Sequence, residues 1–143
     1  MRISVYVLVM SIMIGWSAVR AGWPHPAEAQ KPSEAAKLQN PVVADAASIE
    51  AGKALFAEQC AGCHGDTGKG DGPNSIYTGD PPPSDLTDAT WKHGSTDGEI
   101  FIVIRDGVEE TGMEGFGKDL KSIDMWHLVN FMRTLGPKPA TAH

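Results

Sequence analysis

Two cysteines, the only ones in the chain, lie together in the motif Cys60-Ala61-Gly62-Cys63-His64. At this spacing each thiol can add to one vinyl group of a porphyrin, and the histidine that follows can bring its imidazole to the iron. The motif therefore predicts one covalently attached haem c, with His64 as an iron ligand. A chain with this motif must fold around the haem.

Two other uses of a Cys-x-x-Cys pair compete with haem attachment. A redox dithiol has no need of the histidine, and the surrounding strand-helix-strand pattern of such dithiols is missing from the sequence. A zinc site needs a fourth ligand and usually a second ligand pair. The sequence favours haem, with an exported dithiol protein as the alternative.

The N-terminal residues predict export. Arg2 precedes an apolar run over residues 3–19, and a cut after Ala21 suits a signal peptidase. The run is 17 residues long, short of the roughly 20 that span a bilayer as a helix. Residues 1–21 are therefore predicted to be a cleaved signal peptide of a periplasmic protein. An uncleaved anchor, with the protein facing the periplasm, is the alternative.

The charge of the chain restricts its partners. The formal net charge is −6, and loss of Arg2 and Arg20 with the leader makes it −8. This charge disfavours nucleic acid. It favours redox proteins with basic docking patches, because complementary charge speeds encounter.

A length of 143 residues suits a single folded domain. Residues 22–47 are rich in alanine and proline and are predicted to be a linker. The domain is expected over 48–136, followed by a C-terminal tail over 137–143.

Helix signals place the first two helices. The first is expected to open at Ser48, a suitable cap, and to run toward Cys60. Thr96 and Glu99 have capping-box spacing at the start of the second, which is expected to close at Gly107.

The third helix is expected to begin at Ser122 and to stop at Gly136. Between the first two helices, residues 65–94 are rich in glycine and proline, which excludes long regular structure. A loop of this length in a compact domain needs something to enclose, such as a haem. A short helical turn is expected within it, near residues 84–88.

Met113 is the favoured second iron ligand. Glycines on both sides of it let the backbone turn and present the thioether. Met125 and Met132 lie on the third helix, where methionine more often fills a core. His93 and His127 are the rival ligands.

A His64–Met113 pair would define the function. A thioether ligand raises the reduction potential, and a filled sixth position leaves no open site for oxygen or peroxide. One-electron transfer is therefore expected, and enzyme activity is not. The haem subunit of a larger oxidoreductase is the first alternative, and a haem-based sensor the second.

Three further residues are expected around the haem. The carbonyl of Pro73 would accept a hydrogen bond from the ring N–H of His64. Trp91 and Tyr77 would donate to the haem propionates, although each could instead simply bury its aromatic body.

Two segments after the motif extend the pattern: Gly68-Lys69-Gly70-Asp71-Gly72-Pro73 and Pro82-Pro83-Ser84-Asp85-Leu86. With them the chain, over about residues 48–135, resembles the class I cytochrome c family, specifically its small bacterial carriers and domains. The resemblance implies an all-α fold, with three main helices, short helical turns and long loops around one haem.

In that family the first and last helices cross at right angles, and a glycine of the first meets an aromatic residue of the last. Gly52, Phe56 and Phe131 match those places. Glu114 differs from the family pattern, because proline commonly follows the ligand methionine there.

Overall fold

The computed structural model describes residues 33–136. The predicted leader (1–21), the first part of the predicted linker (22–32) and the predicted tail (137–143) lie outside the described residues. Within the described part, no helix is long and apolar enough to cross a membrane. The four α-helices are α1 (Ala46–Gln59), α2 (Ala61–His64), α3 (Asp97–Asp106) and α4 (Ser122–Leu135).

The rest of the described chain is irregular. Two short 3₁₀ helices occupy Ala35–Lys37 and Ser75–Tyr77. Residues 33–136 contain no β-strand, and their one isolated β-bridge joins Gly107 to Glu114. The predicted all-α class is confirmed.

The start of α1 differs from the prediction. Ser48 was expected to cap this helix, but Asp45 does so by accepting a hydrogen bond from the Ser48 backbone N–H at 2.8 Å. Ser48 is buried instead, and its hydroxyl lies 2.8 Å from Nδ1 of His127. A carboxylate three residues earlier is an equally good cap, and it leaves the Ser48 hydroxyl for the contact with α4.

Both predicted ends of α3 are confirmed. The Thr96 hydroxyl accepts from the Glu99 backbone N–H at 3.3 Å, and the Glu99 carboxylate accepts from the Thr96 N–H at 3.0 Å. Together they form a capping box. Gly107 ends the helix with φ at +77°, a conformation that favours glycine.

No helix forms over residues 84–88, where the chain makes only a turn at Leu86 and Thr87. The Asp85 carboxylate accepts from the Thr87 backbone N–H at 2.8 Å and from its hydroxyl at 2.6 Å. These bonds with Thr87, the side-chain bond first, hold the pKa of Asp85 below its ordinary value. An Asp side chain that bonds the backbone two residues on competes with a helical turn. The short helix of this loop lies earlier, at Ser75–Tyr77.

The contact between α1 and α4 is the main packing interface. A side chain at Gly52 would overlap the main-chain carbonyl of His127. One turn along α1, the Phe56 ring lies 5.2 Å from that of Phe131 at 55°. The close approach of these helices at Gly52 agrees with the place that the resemblance assigned to this glycine.

Gly52→Ala is expected to destabilise the folded domain by about 2–3 kcal/mol, because a fixed main-chain carbonyl cannot move aside as a side chain would. The loss should exceed the gain of up to ~1 kcal/mol that alanine brings to a helix. Chemical denaturation of the holoprotein measures the change. Lys53→Ala, at an exposed neighbour, is the control. A Gly52→Ala protein as stable as the parent would exclude the tight contact.

The last part of the predicted linker packs on the domain. The Asn40 side-chain amide donates to Asn130 Oδ1 at 2.8 Å, and Asn130 Nδ2 donates to the Ser48 hydroxyl at 2.7 Å. The Ser33 hydroxyl donates to the Glu99 carboxylate at 2.9 Å. Residues 33–45 therefore follow the surfaces of α3 and α4, whereas the sequence suggested a separate linker up to residue 47.

Candidate haem site

The Cys-x-x-Cys-His motif is held by the loop that follows it. Backbone N–H groups of this loop donate to three successive carbonyls of the motif: Asn74 to Gly62 at 2.7 Å, Gly72 to Cys63 at 3.1 Å and Gly70 to His64 at 2.8 Å. The loop therefore fixes the backbone from which the two thiols and the imidazole project.

Cys60, Cys63 and His64 line a cavity of about 480 Å³ that opens to the solvent. This volume falls in the roughly 300–1,000 Å³ range of small-molecule and cofactor sites. All three long helices contribute apolar side chains to the lining, and the loops contribute others; those of the helices are Phe56, Ile100, Val103, Ile104, Leu128 and Met132. The two thiols and the imidazole of the motif therefore face a largely apolar cavity.

Ser84 orients the ring of His64. Nδ1 of His64 lies 3.1 Å from the Ser84 carbonyl oxygen, so Nδ1 carries the proton and donates it to that oxygen. The prediction that Pro73 provides this carbonyl was wrong, because Pro73 lines a separate groove with Ala61 and Asp71. The hydrogen bond leaves Nε2 as the nitrogen that can ligate a metal.

The environment of His64 also favours the ligand form of its ring. Burial lowers the pKa of His64, and its hydrogen bond to the Ser84 carbonyl opposes part of that change. The neutral imidazole is the form that binds iron. Tautomer and charge state therefore both suit a metal ligand.

The cysteines do not suit a redox dithiol. Burial, and to a smaller extent the nearby Cys63, raises the pKa of Cys60 to about 11. An attacking cysteine in a thiol–disulfide enzyme needs a lowered pKa, because the thiolate is the nucleophile. The raised pKa of Cys60 therefore argues against the dithiol alternative.

Met113 lines the same cavity and lies in a loop fixed by hydrogen bonds. Its backbone N–H donates to the Thr111 hydroxyl at 3.1 Å, and its carbonyl accepts from the Val108 N–H at 2.9 Å. The Thr111 hydroxyl in turn donates to the Val108 carbonyl at 2.8 Å. These bonds order the loop although Glu114 stands where the family has proline.

The two rival histidines differ in position. His93 is exposed on a loop and lines the cavity. His127 lies on α4, where its ring bonds Ser48, and it does not line the cavity. Of the two histidines, only His93 lies at the cavity and could replace Met113 as an iron ligand.

Tyr77 is not placed to bind a group in the cavity. Its side chain is 81% exposed and does not line the cavity. The 3₁₀ helix Ser75–Tyr77 directs it to solvent. The expectation that Tyr77 donates to a haem propionate was therefore wrong.

Trp91, unlike Tyr77, lies at the cavity. Its ring lines the cavity, and its indole N–H is buried with no hydrogen-bond partner among residues 33–136. The Arg133 guanidinium lies 5.9 Å from the ring centroid, and its Nε donates to the Asp97 carboxylate at 2.8 Å. A buried N–H without a partner costs about 1–3 kcal/mol, so the indole is arranged for an acceptor that residues 33–136 do not provide.

These residues fit a haem. The cavity is large and apolar, two thiols and a neutral imidazole enter it from one motif, and a buried donor awaits an acceptor. A propionate supplies such an acceptor. Fold and site together define a small helical protein built to hold a covalently attached porphyrin.

Comparison with known proteins gives the family. The family model "Cytochrome c" matches residues 49–136, and the chain belongs to this family. Cytochrome c domains bind haem c covalently and transfer electrons. The chain is therefore an electron-transfer domain whose haem c is attached through Cys60 and Cys63.

The curated relatives are longer proteins. The chain is 30% identical over 107 residues to the cbb3-type cytochrome c oxidase subunit CcoP of Azospirillum sp. (strain B510), covering 66% of this chain and 33% of the relative. It is 29% identical to CcoP of Azospirillum brasilense, over 64% of this chain and 30% of the relative. The chain thus spans about a third of the length of these relatives.

A solved structure extends the comparison. The reducing HAO-like protein complex of Kuenenia stuttgartiensis contains a chain that matches with a TM-score of 0.63 and 30% identity. The match covers 71% of this chain and 48% of that one.

Two contacts of the site were not predicted from the sequence: the Ser84 carbonyl with His64, and Arg133 with Trp91. The Ser84 carbonyl had a partial signal, because Ser84 lies in the proline-rich segment that supported the family resemblance. Arg133 had none, since a basic residue in the last turn of a helix is common. Its contact with Trp91 depends on how α4 packs.

Proposed function

We propose that this chain is a one-electron carrier in which His64 and Met113 ligate the haem iron. Bound haem iron supplies a reversible one-electron change. The observation that carries the proposal is that both side chains line one apolar cavity together with the two cysteines.

Neighbouring residues hold each of the two proposed iron ligands in place. Ser84 accepts the Nδ1–H of His64, which orients the ring and leaves Nε2 for the iron. Thr111 and Val108 hold the backbone of Met113, so its soft thioether stays available to raise the reduction potential. A fixed ligand loop also keeps other molecules from the sixth position.

Trp91 completes the site in this proposal. Its buried indole N–H would donate to a haem propionate, which would remove the cost of an unpaired donor. Arg133, bonded to Asp97, holds the ring from the side. Arg133 is a positioning residue.

The carrier works in the periplasm in this proposal, with residues 1–21 as its export signal. Its partners are redox proteins with basic docking patches, since the chain has a net charge of −6.

The relatives support a second candidate, the haem subunit of a larger oxidoreductase. One is named as an oxidase subunit and another belongs to an HAO-like complex. The native mass of the holoprotein from its own host separates the two candidates. A free carrier migrates alone, and a subunit migrates with a catalytic chain.

Carbon monoxide tests the closed sixth position. The holoprotein, matured in a host that assembles c-type cytochromes, should titrate as a reversible one-electron couple and, when reduced at neutral pH, should show no spectral change with carbon monoxide. Met113→Ala, which opens the position, is the positive control and should bind the gas. Rapid binding by the unaltered protein would support a haem-based sensor and reject the carrier.

A further inference from the structure

Ile76 and Tyr77 are the most exposed large apolar side chains of the described residues, at 78% and 81%. They are neighbours on the 3₁₀ helix Ser75–Tyr77. Neither lines the cavity, so a bound haem would not cover them. Single exposed apolar residues are common, whereas adjacent ones form a contiguous apolar patch of the kind that marks interaction sites.

The backbone here is held in place. The Asn74 N–H donates to the Gly62 carbonyl in α2 at 2.7 Å, and the Tyr77 N–H donates to the Asn74 carbonyl at 3.0 Å. The Thr78 hydroxyl donates to the Ser75 carbonyl at 2.8 Å. A partner would therefore meet the apolar pair without having to order it, which favours binding.

The pair lies at the rim of the haem cavity. Thr78, the next residue, lines the cavity. It also approaches Gly112 so closely that a side chain at Gly112 would press on it. The segment that carries Ile76 and Tyr77 is therefore linked to α2 through Asn74 and lies against the Met113 loop through Thr78.

Acidic residues flank this rim. Residues 65–90 contain five aspartates and a single basic residue, Lys69, and the Met113 loop over 108–115 contains three glutamates and no basic residue. All of these acidic side chains except Asp85 are exposed. Three of them, Asp85, Asp88 and Glu114, line the cavity itself, together with one lysine, Lys92. The cavity beside the apolar pair therefore carries net negative charge.

We propose that Ile76 and Tyr77 form the apolar centre of the docking surface for a redox partner protein. The partner presents an apolar recess bordered by lysine and arginine. The charge supports this choice over other occupants, because a second copy of this acidic chain or an anionic lipid surface would be repelled. The inference rests on the proposed carrier function, since docking at this rim brings a partner against the residues that hold the haem.

Stopped-flow electron transfer tests the proposal, with a cytochrome c of strongly basic net charge as the probe. The double variant Ile76→Ser, Tyr77→Ser should lower the second-order rate constant by about tenfold or more, as loss of a central hot spot does. Val43→Ser is the matched control, because Val43 is 77% exposed and does not line the cavity. It should change the rate less than twofold.

The reduction potential and optical spectrum of each variant are recorded first, and both should match the parent. If they match and the double variant reacts within twofold of the parent, or if Val43→Ser slows the reaction as much, the docking surface is rejected while the carrier function stands. If the parent shows no reversible one-electron couple, the proposed function itself fails.

Discussion

Replacing both Cys60 and Cys63 by serine is expected to give a chain without haem and without a folded domain. The cavity of about 480 Å³ would then lack its occupant. Without the haem, the apolar side chains that line the cavity would face water, and each large one left exposed costs about 1.5–3 kcal/mol. Several such side chains together match the entire stability of a typical domain, roughly 5–15 kcal/mol.

Circular dichroism and thermal melting of the exported chain measure the loss, and acid–acetone extraction shows whether haem is attached. Asp66→Asn, at an exposed residue just after the motif, is the control and should keep both haem and helices. If the serine variant has native helix content and melts cooperatively, the haem is not the centre of the core.

Met113→Leu is expected to lower the reduction potential of the holoprotein by on the order of 0.2 V, out of the roughly 0.8 V that axial ligands span. Leucine keeps the apolar volume but offers no lone pair to the iron. The weak near-infrared band of sulfur-to-iron ligation in the oxidised protein should vanish with the same change.

Met132→Leu is the matched control, because Met132 also lines the cavity but lies on α4. It should leave the band in place and shift the potential little. Loss of the band in Met132→Leu with retention in Met113→Leu would reverse the assignment. Unchanged spectra in both variants would turn attention to His93, the remaining histidine rival on the cavity wall.

Local signals predicted the helices well. The capping box of Thr96 and Glu99 begins α3 and Gly107 ends it, and all three residues act as expected. The start of α1 was misplaced because Asp45 and Ser48 are both good caps. Only the packing of α4, which engages the Ser48 hydroxyl, separates them.

The surroundings of the motif were harder to predict. Every residue has a carbonyl, so the partial signal at Ser84 does not decide between Ser84 and Pro73 as the acceptor for His64. Trp91 and Tyr77 are likewise alike as donors in the sequence, yet one is buried at the cavity and the other is exposed. These outcomes depend on the path of the long loop between α2 and α3, which tertiary contacts determine.

The NMR spectrum of the reduced holoprotein with ¹³C-labelled methionine methyl groups tests the His64–Met113 carrier most directly. A methyl group held over the porphyrin experiences its ring current, so the Met113 signal should lie far upfield of those of Met125 and Met132. It should be missing from the Met113→Leu protein. A spectrum without an upfield methyl signal, or one that keeps it after Met113→Leu, would contradict the assignment of Met113 as the iron ligand.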